Sequence, residues 1–387
     1  MMACTDTHCR TLHRLFSPNA LLFTEMVTAG AVVYGPRQRL LRFQPAEAPV
    51  ACQLGGSEPG LLAEAAQAAA GAGFAEINLN VGCPSPRVRR GAFGAALMAE
   101  PRRVADCVAA MAADVEVPVT VKCRLGLSCE GRTPRAPQAE ALSCEGRTPR
   151  APQAEGSHGR DSDAFLDEFI AAVSDAGCRT VYVHARIAVL DGLNPAQNRS
   201  IPPLQPERVH ALKERFPELR IIANGGIDTL AGAAAYLARV DGVMIGRAAW
   251  REPRFLNRLD SMMFGTPMVS ERDALDAYLG HVRSQLAEGE RLADLVRPIL
   301  GLFKGQPGAR RYRQRLSCPK ALRSNRIAVV QDAIDQVGFS GEAFSSSQCG
   351  TPRMPKEQTG CDAAVSDCLM KAPRDLAPRT IEKQRAA

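Results

Sequence analysis

The sequence lacks the patterns that mark several large classes of protein. No stretch approaches the roughly 18 consecutive apolar residues of a membrane-spanning helix, so we expect a soluble protein with no membrane partner. It contains neither a Gly-x-Gly-x-x-Gly fingerprint nor a P-loop, which argues against an open doubly wound sheet. The first residues carry no apolar signal core and no Arg-rich transit segment, and they do not indicate a compartment.

Cysteine is present, but no two cysteines form a CxxC pair. The 13 cysteines are scattered through predicted strands and helices. This distribution favours free thiols in a reducing compartment, cytoplasmic or organellar, over a disulfide framework or a zinc site. We therefore expect no metal. A net charge of +7 is modest for 387 residues, so the positions of the basic residues matter more than their number.

The stretch from Glu76 to Ser85 is the strongest indication of an active site. It reads Glu-Ile-Asn-Leu-Asn-Val-Gly-Cys-Pro-Ser, and its alternating apolar residues predict a buried strand that stops at Gly-Cys-Pro. Cys83 would then lie in the loop after a strand, where βα enzymes carry their chemistry. A cysteine is more often a small buried apolar residue, and for most of the other cysteines we accept that interpretation.

This stretch resembles the Asn-x-Gly-Cys-Pro motif of the tRNA-dihydrouridine synthases, flavoenzymes that reduce a uridine of tRNA, and in particular their A-type subfamily. The resemblance covers most of residues 1 to 326. Met1 to Asp6 resembles the family segment that ends the first barrel strand, and the resemblance implies that the backbone of Met1 and Met2 lies against the flavin. Because most of that strand is absent, we expect a version with a longer N-terminus to bind flavin more tightly.

Short apolar strands alternate with helical patterns through the first two thirds of the chain. After a helix predicted at Thr7–Phe16, the predicted strands are Leu21–Met26, Pro49–Leu54, Ile77–Val81, Val117–Lys122, Thr180–His184, Arg220–Asn224 and Gly242–Gly246. Counting the truncated first strand, these make eight strands over about 250 residues. They predict an α/β fold, a (β/α)8 TIM barrel with its first strand truncated, over residues 1–265.

Three further regions differ from the barrel pattern. Residues 127–160 contain a tandem repeat of period 15 rich in Pro, Gly, Arg and Glu, which predicts a disordered insertion at the catalytic face. Residues 270–340 carry helical patterns, including Ala274–Ala287 and Leu292–Phe303, and predict a small C-terminal helical domain. Residues 341–387 are rich in Ser, Gln, Pro and Lys and predict a disordered tail.

Polar residues fall at the ends of several predicted strands, where a barrel enzyme assembles its site. They are Gln53, Asn80, Cys83, Lys122, His184, Asn224, Gly225, Gly226, Gly246 and Arg247. Each alone has a structural alternative, since a strand-end Lys often extends to solvent, a lone His is often a core residue, and Gly pairs serve turns. Their joint placement favours a functional site.

The glycines predict a phosphate site. The loops after the last two strands are the usual phosphate site of such barrels, and Gly225, Gly226 and Gly246 would let backbone amides approach while Arg247 adds charge. This would be half of a site for flavin mononucleotide, FMN.

Lys122 and Gln53 would supply the other half if they face the isoalloxazine ring, because a fixed ammonium there favours the anionic reduced flavin. The resemblance implies that both residues, together with His184 and Asn224, bind FMN. It also implies that NADPH reduces the flavin, although the chain has no nicotinamide-binding motif of its own.

Cys83 fits the role of proton donor. Reduction of uracil needs a hydride at one ring carbon and a proton at its neighbour, and a thiol with an ordinary pKa of about 8.5 is mostly protonated at neutral pH. Where the family often has a second cysteine, this chain reads Gly94-Ala95-Ala96-Leu97, which leaves Cys83 as the only candidate acid nearby. The resemblance implies that Asn80 and Arg186 contact the tRNA; the alternative for Asn80 is a turn cap.

The segment from Gly301 to Arg326 predicts a nucleic-acid surface. It has no acidic residue, includes Phe303 and Tyr312, and carries eight basic residues: Lys304, Arg310, Arg311, Arg313, Arg315, Lys320, Arg323 and Arg326. A run of one sign in a mildly basic chain favours a surface that follows phosphates. The resemblance implies that Arg310 and Arg313 contact tRNA.

The sequence therefore predicts a flavin-dependent tRNA-dihydrouridine synthase, expected as a monomer, and the resemblance to the A-type subfamily implies uridines 20 and 20a of the D-loop as its targets. One alternative is a flavin barrel enzyme acting on a free pyrimidine, against which the basic segment argues. Another is a catalytically inactive RNA-binding relic, which the shortened first strand and the insertion leave open.

Overall fold

Seven parallel strands form the central sheet of the computed structural model, which describes residues 1–128 and 160–337. Every strand pairs with the next in chain order, as expected when helices connect successive parallel strands. The strands are β1 (Leu22–Thr28), β2 (Val50–Gly55), β3 (Glu76–Val81), β4 (Val119–Arg124), β6 (Thr180–His184), β8 (Arg220–Asn224) and β9 (Gly242–Met244), with a separate two-stranded sheet of β5 (Leu127–Ser128) and β7 (Ala188–Val189).

Helices follow most of the strands and cover the sheet. They are α1 (Thr7–Phe16), α2 (Ala29–Tyr34), α3 (Arg37–Leu40), α4 (Pro59–Gly71), α5 (Pro86–Arg90), α6 (Pro101–Ala113), α7 (Asp163–Asp175), α8 (Pro206–Arg215), α9 (Leu230–Leu237), α10 (Arg247–Arg251), α11 (Arg254–Phe264), α12 (Glu271–Ala287), α13 (Leu292–Leu295), α14 (Ala309–Leu316), α15 (Pro319–Leu322) and α16 (Ala328–Ile334). Short 3-10 helices lie at Pro45–Glu47, Gly94–Ala99, Gln197–Arg199 and Pro298–Gly301. The α/β barrel fold predicted from the sequence is confirmed, and its sheet has seven strands rather than eight.

The segment expected to be the remnant of a first strand is a turn. The backbone N–H groups of Cys4 and Thr5 both donate to the carbonyl of Met1, so Met1–Ala3 pairs with no strand in the part of the chain that the structure describes. The Cys4 N–H also donates to Glu25 Oε1 on β1 (3.1 Å). On the other side, a Cβ built on Gly246, just after β9, would lie 3.3 Å from the Met1 sulfur. The N-terminal turn therefore lies between β1 and the residue that follows β9.

Three strands extend beyond their predicted ends. β1 continues two residues past Met26 to Thr28, β2 one residue past Leu54 to Gly55, and β4 two residues past Lys122 to Arg124. The sequence pattern gave the wrong strand ends because Gln53, Lys122 and Arg124 point into the barrel, whose interior is polar near its mouth. Gln53 and Lys122 are thus interior strand residues, and Arg124 ends β4.

The predicted insertion at 127–160 lies outside the described residues except at its two ends. Leu127–Ser128 forms β5 and pairs with β7, and the Leu127 N–H donates to the carbonyl of Arg160 (2.8 Å). The two described ends of this region therefore lie next to each other, directly after β4. The predicted tail at 341–387 also lies outside the described residues.

A second hydrophobic core lies beside the barrel core. It is formed by residues of α10 to α16. It also includes Leu12 and Phe16 of α1, a helix that the sequence analysis assigned to the barrel. α1 contacts α12 directly, with His8 Nδ1 2.9 Å from His281 Nε2. The N-terminal helix therefore belongs by its packing to the core of the C-terminal helices.

The single helix expected over Leu292–Phe303 is wrong. The segment forms α13 and then the 3-10 helix at Pro298–Gly301, because Pro298 has no N–H to continue an α-helix. Gly301 packs against the main chain, where a Cβ would lie 2.3 Å from the carbonyl oxygen of Arg251. The break lets the chain turn so that Leu302 and Phe303 enter the second core.

Candidate active site

The register of the sheet brings the predicted polar residues together at the carboxyl ends of the strands. Asn80 on β3 is level with Lys122 on β4, and His184 on β6 is level with Asn224 on β8. In a parallel sheet, residues at one level of neighbouring strands share an end of the barrel. Residues from four strands therefore meet at the barrel mouth.

The loop that carries Cys83 is held by hydrogen bonds on both sides of the thiol. Asn80 Oδ1 accepts from the N–H groups of Gly82 (3.2 Å) and Cys83 (3.0 Å), and the Cys83 carbonyl accepts from the Ala95 N–H (2.9 Å). Gly94, at φ +74°, allows this approach, since a Cβ there would lie 2.7 Å from the Cys83 oxygen. Asn80 thus caps the loop, a role that is compatible with a contact to tRNA. Among the described residues, no group forms a hydrogen bond with the Cys83 thiol.

Arg124 is a buried site residue that the sequence analysis missed. Its Nε donates to the carbonyl of Gly82 (3.1 Å), and its Nη1 donates to the carbonyls of Ile187 (3.3 Å) and Asn198 (3.1 Å). Burial lowers the pKa of Arg124 to about 10. The guanidinium therefore joins the Cys83 loop to two loop segments after β6. The only feature of the sequence that indicated Arg124 is its position two residues after Lys122, which places both side chains on the same face of β4.

Lys122 and His184 sit in a strongly positive environment. Burial, and next Arg124, lower the pKa of Lys122 to about 8. Burial, and then Arg124 and Lys122, hold the pKa of His184 well below its usual range, so its imidazole is neutral at pH 7. His184 Nδ1 is buried and has no hydrogen-bond partner in the described residues. A buried nitrogen of this kind is suited to a polar ligand that can share a hydrogen bond with it.

The residues after β8 and β9 lie close to these groups. Gly225 (φ +109°) and Gly226 (φ +71°) adopt backbone conformations that disfavour side chains, and a Cβ on Gly225 would lie 3.2 Å from His184 Nε2. Asn224 faces β9, where its Nδ2 donates to the Met244 carbonyl (2.7 Å). Arg247 is partly buried and donates through Nη2 to the Arg199 carbonyl (3.1 Å).

The basic groups at the mouth have no acidic partners. Lys122, Arg124, Arg186, Arg199 and Arg247 form no ion pair with a carboxylate within residues 1–128 and 160–337. Arg186 donates to the Pro202 carbonyl, while its Nε is buried and unpaired. Such an arrangement favours binding of an anion, because unpaired buried cations are otherwise costly.

The residues expected to bind FMN fit that cofactor. The unpartnered His184 nitrogen and Arg247, which forms no ion pair in the described residues, suit a polar ring and a phosphate. The Met1 ammonium donates to Thr5 Oγ1 (2.6 Å), and burial lowers its pKa. The side chain of Met2 is 62% exposed, so only its backbone could contact a ring inside the barrel.

Six basic residues of the segment 301–326 form an exposed surface, which we call the basic surface. They carry no ion pair in the described residues: Arg310, Arg311, Arg313, Lys320, Arg323 and Arg326. The other two are paired, Lys304 with Glu252 (3.6 Å) and Arg315 with Asp332 (2.6 Å). The expectation that Phe303 and Tyr312 belong to an RNA surface is wrong: both are fully buried, with their rings packed edge to face at 4.9 Å.

Two other properties of the described residues bear on the class of site. No helix in the described ranges is long and apolar enough to cross a membrane. Among the same residues, no cluster of three or more His, Cys, Asp or Glu side chains could hold a metal ion. The eight cysteines that they include are free thiols.

Comparisons with known proteins identify the family of this chain. The sequence is 47% identical over 317 residues to a tRNA-dihydrouridine(20/20a) synthase of Xanthomonas campestris pv. campestris, covering 82% of this chain and 86% of that protein. It is 44% identical over 337 residues to the protein of the same name in Pseudomonas aeruginosa, covering 87% and 92%. The family described as Dihydrouridine synthase (Dus) matches residues 1–148 and 156–337. With a thiol-bearing loop, a cationic barrel mouth and a family match along most of its length, this chain belongs to the dihydrouridine synthase family.

Proposed function

We propose that this protein reduces uridine to 5,6-dihydrouridine at positions 20 and 20a of the tRNA D-loop, with FMN as cofactor. The observation that carries the proposal is the meeting of the Cys83 loop with unpaired cations and an unpartnered His184 nitrogen at one barrel mouth. The positions 20 and 20a come from the names of the relatives.

The residues of the mouth divide into cofactor and substrate groups. Gln53, Lys122, His184, Asn224, Gly225, Gly226, Gly246, Arg247 and the backbone of Met1 and Met2 would hold FMN. When bound, the flavin supplies the hydride that reduces the uracil ring. Lys122 would lie at the electron-rich edge of the flavin, where a buried ammonium stabilises negative charge.

Cys83 acts as the general acid. Its thiol donates a proton to the ring carbon next to the one that receives the hydride, and the thiolate that remains takes a proton from solvent. Asn80 and Arg124 hold the backbone just before the thiol and the Ala95 N–H holds it just after, so the sulfur keeps one position. Asn80 and Arg186 would contact the target nucleotide once it is turned out of the tRNA stack.

The basic surface would bind a part of the tRNA that lies outside the barrel mouth. Arg310 and Arg313 lie three residues apart on α14, exposed and unpaired, as phosphate contacts require. The resemblance to the A-type subfamily supports NADPH as the electron donor. The proposed active unit is a monomer.

The direct test is the colour of the purified protein and what changes it. We expect a yellow protein whose extracted cofactor has the mass of FMN, whose absorbance is bleached by NADPH without oxygen, and whose colour returns on adding unmodified tRNA. NADH and tRNA already carrying dihydrouridine are the matched controls. Reoxidation by free uracil or orotate but not by tRNA would overturn the proposed substrate, and tRNA binding without flavin would indicate an inactive relic.

The pKa of Lys122 leads to a prediction about FMN affinity. Because the charged ammonium is the form that favours the flavin, FMN binding to flavin-free protein should be constant from pH 7 to 7.5. Above the pKa of about 8 it should weaken, up to about tenfold per pH unit, because binding then requires uptake of a proton. His184 does not titrate in this range, since its pKa lies well below it.

Fluorescence titration of FMN between pH 7 and 9.5 measures this effect. Lys122→Met should bind FMN more weakly at pH 7 and should lack the decline. If the variant and the parent weaken in parallel with pH, another group is responsible and Lys122 does not face the flavin.

A further inference from the structure

A line of hydrogen-bonded side chains runs through the barrel from its base to the Cys83 loop. It begins at Glu76, the first residue of β3, and ends at Asn80 near the carboxyl end of the same strand. Between them lie Thr120 of β4, Asn78 of β3 and Gln53 of β2, and four of the five side chains are buried, Gln53 being partly buried. We call this line the amide relay. Only Gln53 and Asn80 were assigned a role from the sequence.

Every hydrogen bond in the amide relay points the same way. Asn80 Nδ2 donates to Gln53 Oε1 (2.8 Å), and Gln53 Nε2 donates to Asn78 Oδ1 (2.9 Å). Asn78 Nδ2 donates to Thr120 Oγ1 (2.8 Å), and that hydroxyl donates to Glu76 Oε1 (2.7 Å). The one hydroxyl proton of Thr120 is used by Glu76, so the hydroxyl can only accept from Asn78.

The two ends of the amide relay require this direction. At the mouth, the N–H groups of Gly82 and Cys83 both need an acceptor, which is Asn80 Oδ1. At the base, Glu76 accepts from Thr120 and, through Oε2, from the Tyr182 hydroxyl (3.2 Å). A side-chain amide can turn over and exchange its donor and acceptor, whereas an ionised carboxylate accepts only. Each amide is thus fixed from both ends.

We propose that Glu76 is a positioning residue that acts through the amide relay, setting the orientation of the Gln53 and Asn80 amides and so the position of the Cys83 loop. The other groups that face the carboxyl are Arg220 and Cys178. Burial raises the pKa of Glu76, while the hydroxyls of Thr120 and Tyr182 act to lower it.

Thr120→Val tests the proposal, because it cuts the amide relay with almost no change in volume. Thr120→Ser restores the hydroxyl, and Thr120→Ala repeats the cut with a smaller side chain in case valine disturbs folding. Tyr182→Phe is the matched control: it removes the other hydroxyl bond to Glu76 but leaves the amide relay intact.

The first readout is alkylation of Cys83 by iodoacetamide in flavin-free protein, followed by the mass of the Cys83 peptide. An interaction worth one ordinary hydrogen bond corresponds to about fivefold, so we expect about fivefold faster alkylation in Thr120→Val and Thr120→Ala. Thr120→Ser and Tyr182→Phe should stay near the parent rate. In Thr120→Val and Thr120→Ala, FMN affinity should also weaken by a similar factor, and the spectrum of the bound flavin should shift.

Equal alkylation rates in all four variants would overturn the proposal. So would equal acceleration in Tyr182→Phe and Thr120→Val, because the cause would then be general loosening around Glu76. The inference rests on the proposed function only for the role of Cys83 as acid. Since alkylation needs neither flavin nor turnover, failure of the proposed function would leave this readout intact.

Discussion

Replacing Cys83 by alanine is expected to slow the reduction of tRNA by about 10²- to 10⁴-fold, while FMN and tRNA still bind, because a general acid acts only in the protonation step. The backbone around residue 83 is held by Asn80, Ala95 and Arg124 and not by the thiol, so the loop should keep its shape. The measurement is the single-turnover rate at which unmodified tRNA reoxidises the reduced protein, together with dissociation constants for FMN and tRNA.

Two further variants separate acid catalysis from packing. Cys83→Ser keeps the size and the hydrogen-bonding group but is a much weaker acid, so it should be nearly as slow as alanine. Cys107→Ala removes a thiol buried in the barrel core on α6 and should leave the rate unchanged at some loss of thermal stability. A Cys83→Ala protein that works within a few-fold of the parent would make Cys83 a packing residue.

Replacing Arg310 and Arg313 together by alanine is expected to weaken tRNA binding by at least about tenfold at physiological salt, because each removes a charged contact to phosphate. The slope of log affinity against log salt should fall by roughly two units. Oxidation of NADPH by the protein without tRNA should not change, since both residues lie on the basic surface of the second core. Filter binding at several salt concentrations measures the affinity.

The matched control removes two arginines elsewhere. Arg215 ends α8 and Arg239 follows α9, at the amino ends of the strands, and they pair with Asp167 (2.8 Å) and Glu214 (3.4 Å). The Arg215→Ala/Arg239→Ala protein has the same net charge as the Arg310/Arg313 variant but should bind tRNA almost as the parent does. Equal weakening in the two proteins would mean that net charge, not the basic surface, drives binding. Loss of FMN from the Arg310/Arg313 variant would show that these residues lie at the flavin site and not on a surface for tRNA.

The strands and most of the site residues could be predicted because their signals are local. Alternating β-branched residues that end at Gly or Asn locate a strand within a few positions, and Thr180–His184 and Arg220–Asn224 were predicted to the residue. Once parallel strands are assumed, residues at their carboxyl ends must meet. That is why His184 and Asn224 were identified together.

The errors arose where polar residues point inward. Gln53 and Lys122 were taken as strand ends because polar residues usually end a buried strand, yet β2 and β4 each continue for two residues. Arg124 was missed for the same reason. Phe303 and Tyr312 were assigned to the surface because they stand among basic residues, whereas the turn after the 3-10 helix carries Phe303 into the second core and the inward face of α14 carries Tyr312 there.

The sequence by itself determined the alternation of strands and helices, the loop that presents Cys83, the family and the one-sign charge of the segment from 301 to 326, because each depends on residues close together in the chain. Only the tertiary structure decided the rest. It placed α1 in the core of the C-terminal helices, paired Lys304 with Glu252, and left Arg310 and Arg313 free. It also linked Glu76 to Asn80 through β2 and β4, although the two residues lie on one strand. The physical reason is that charge and periodicity are properties of a segment, whereas a hydrogen bond or ion pair depends on which distant segment the fold brings within about 3 Å.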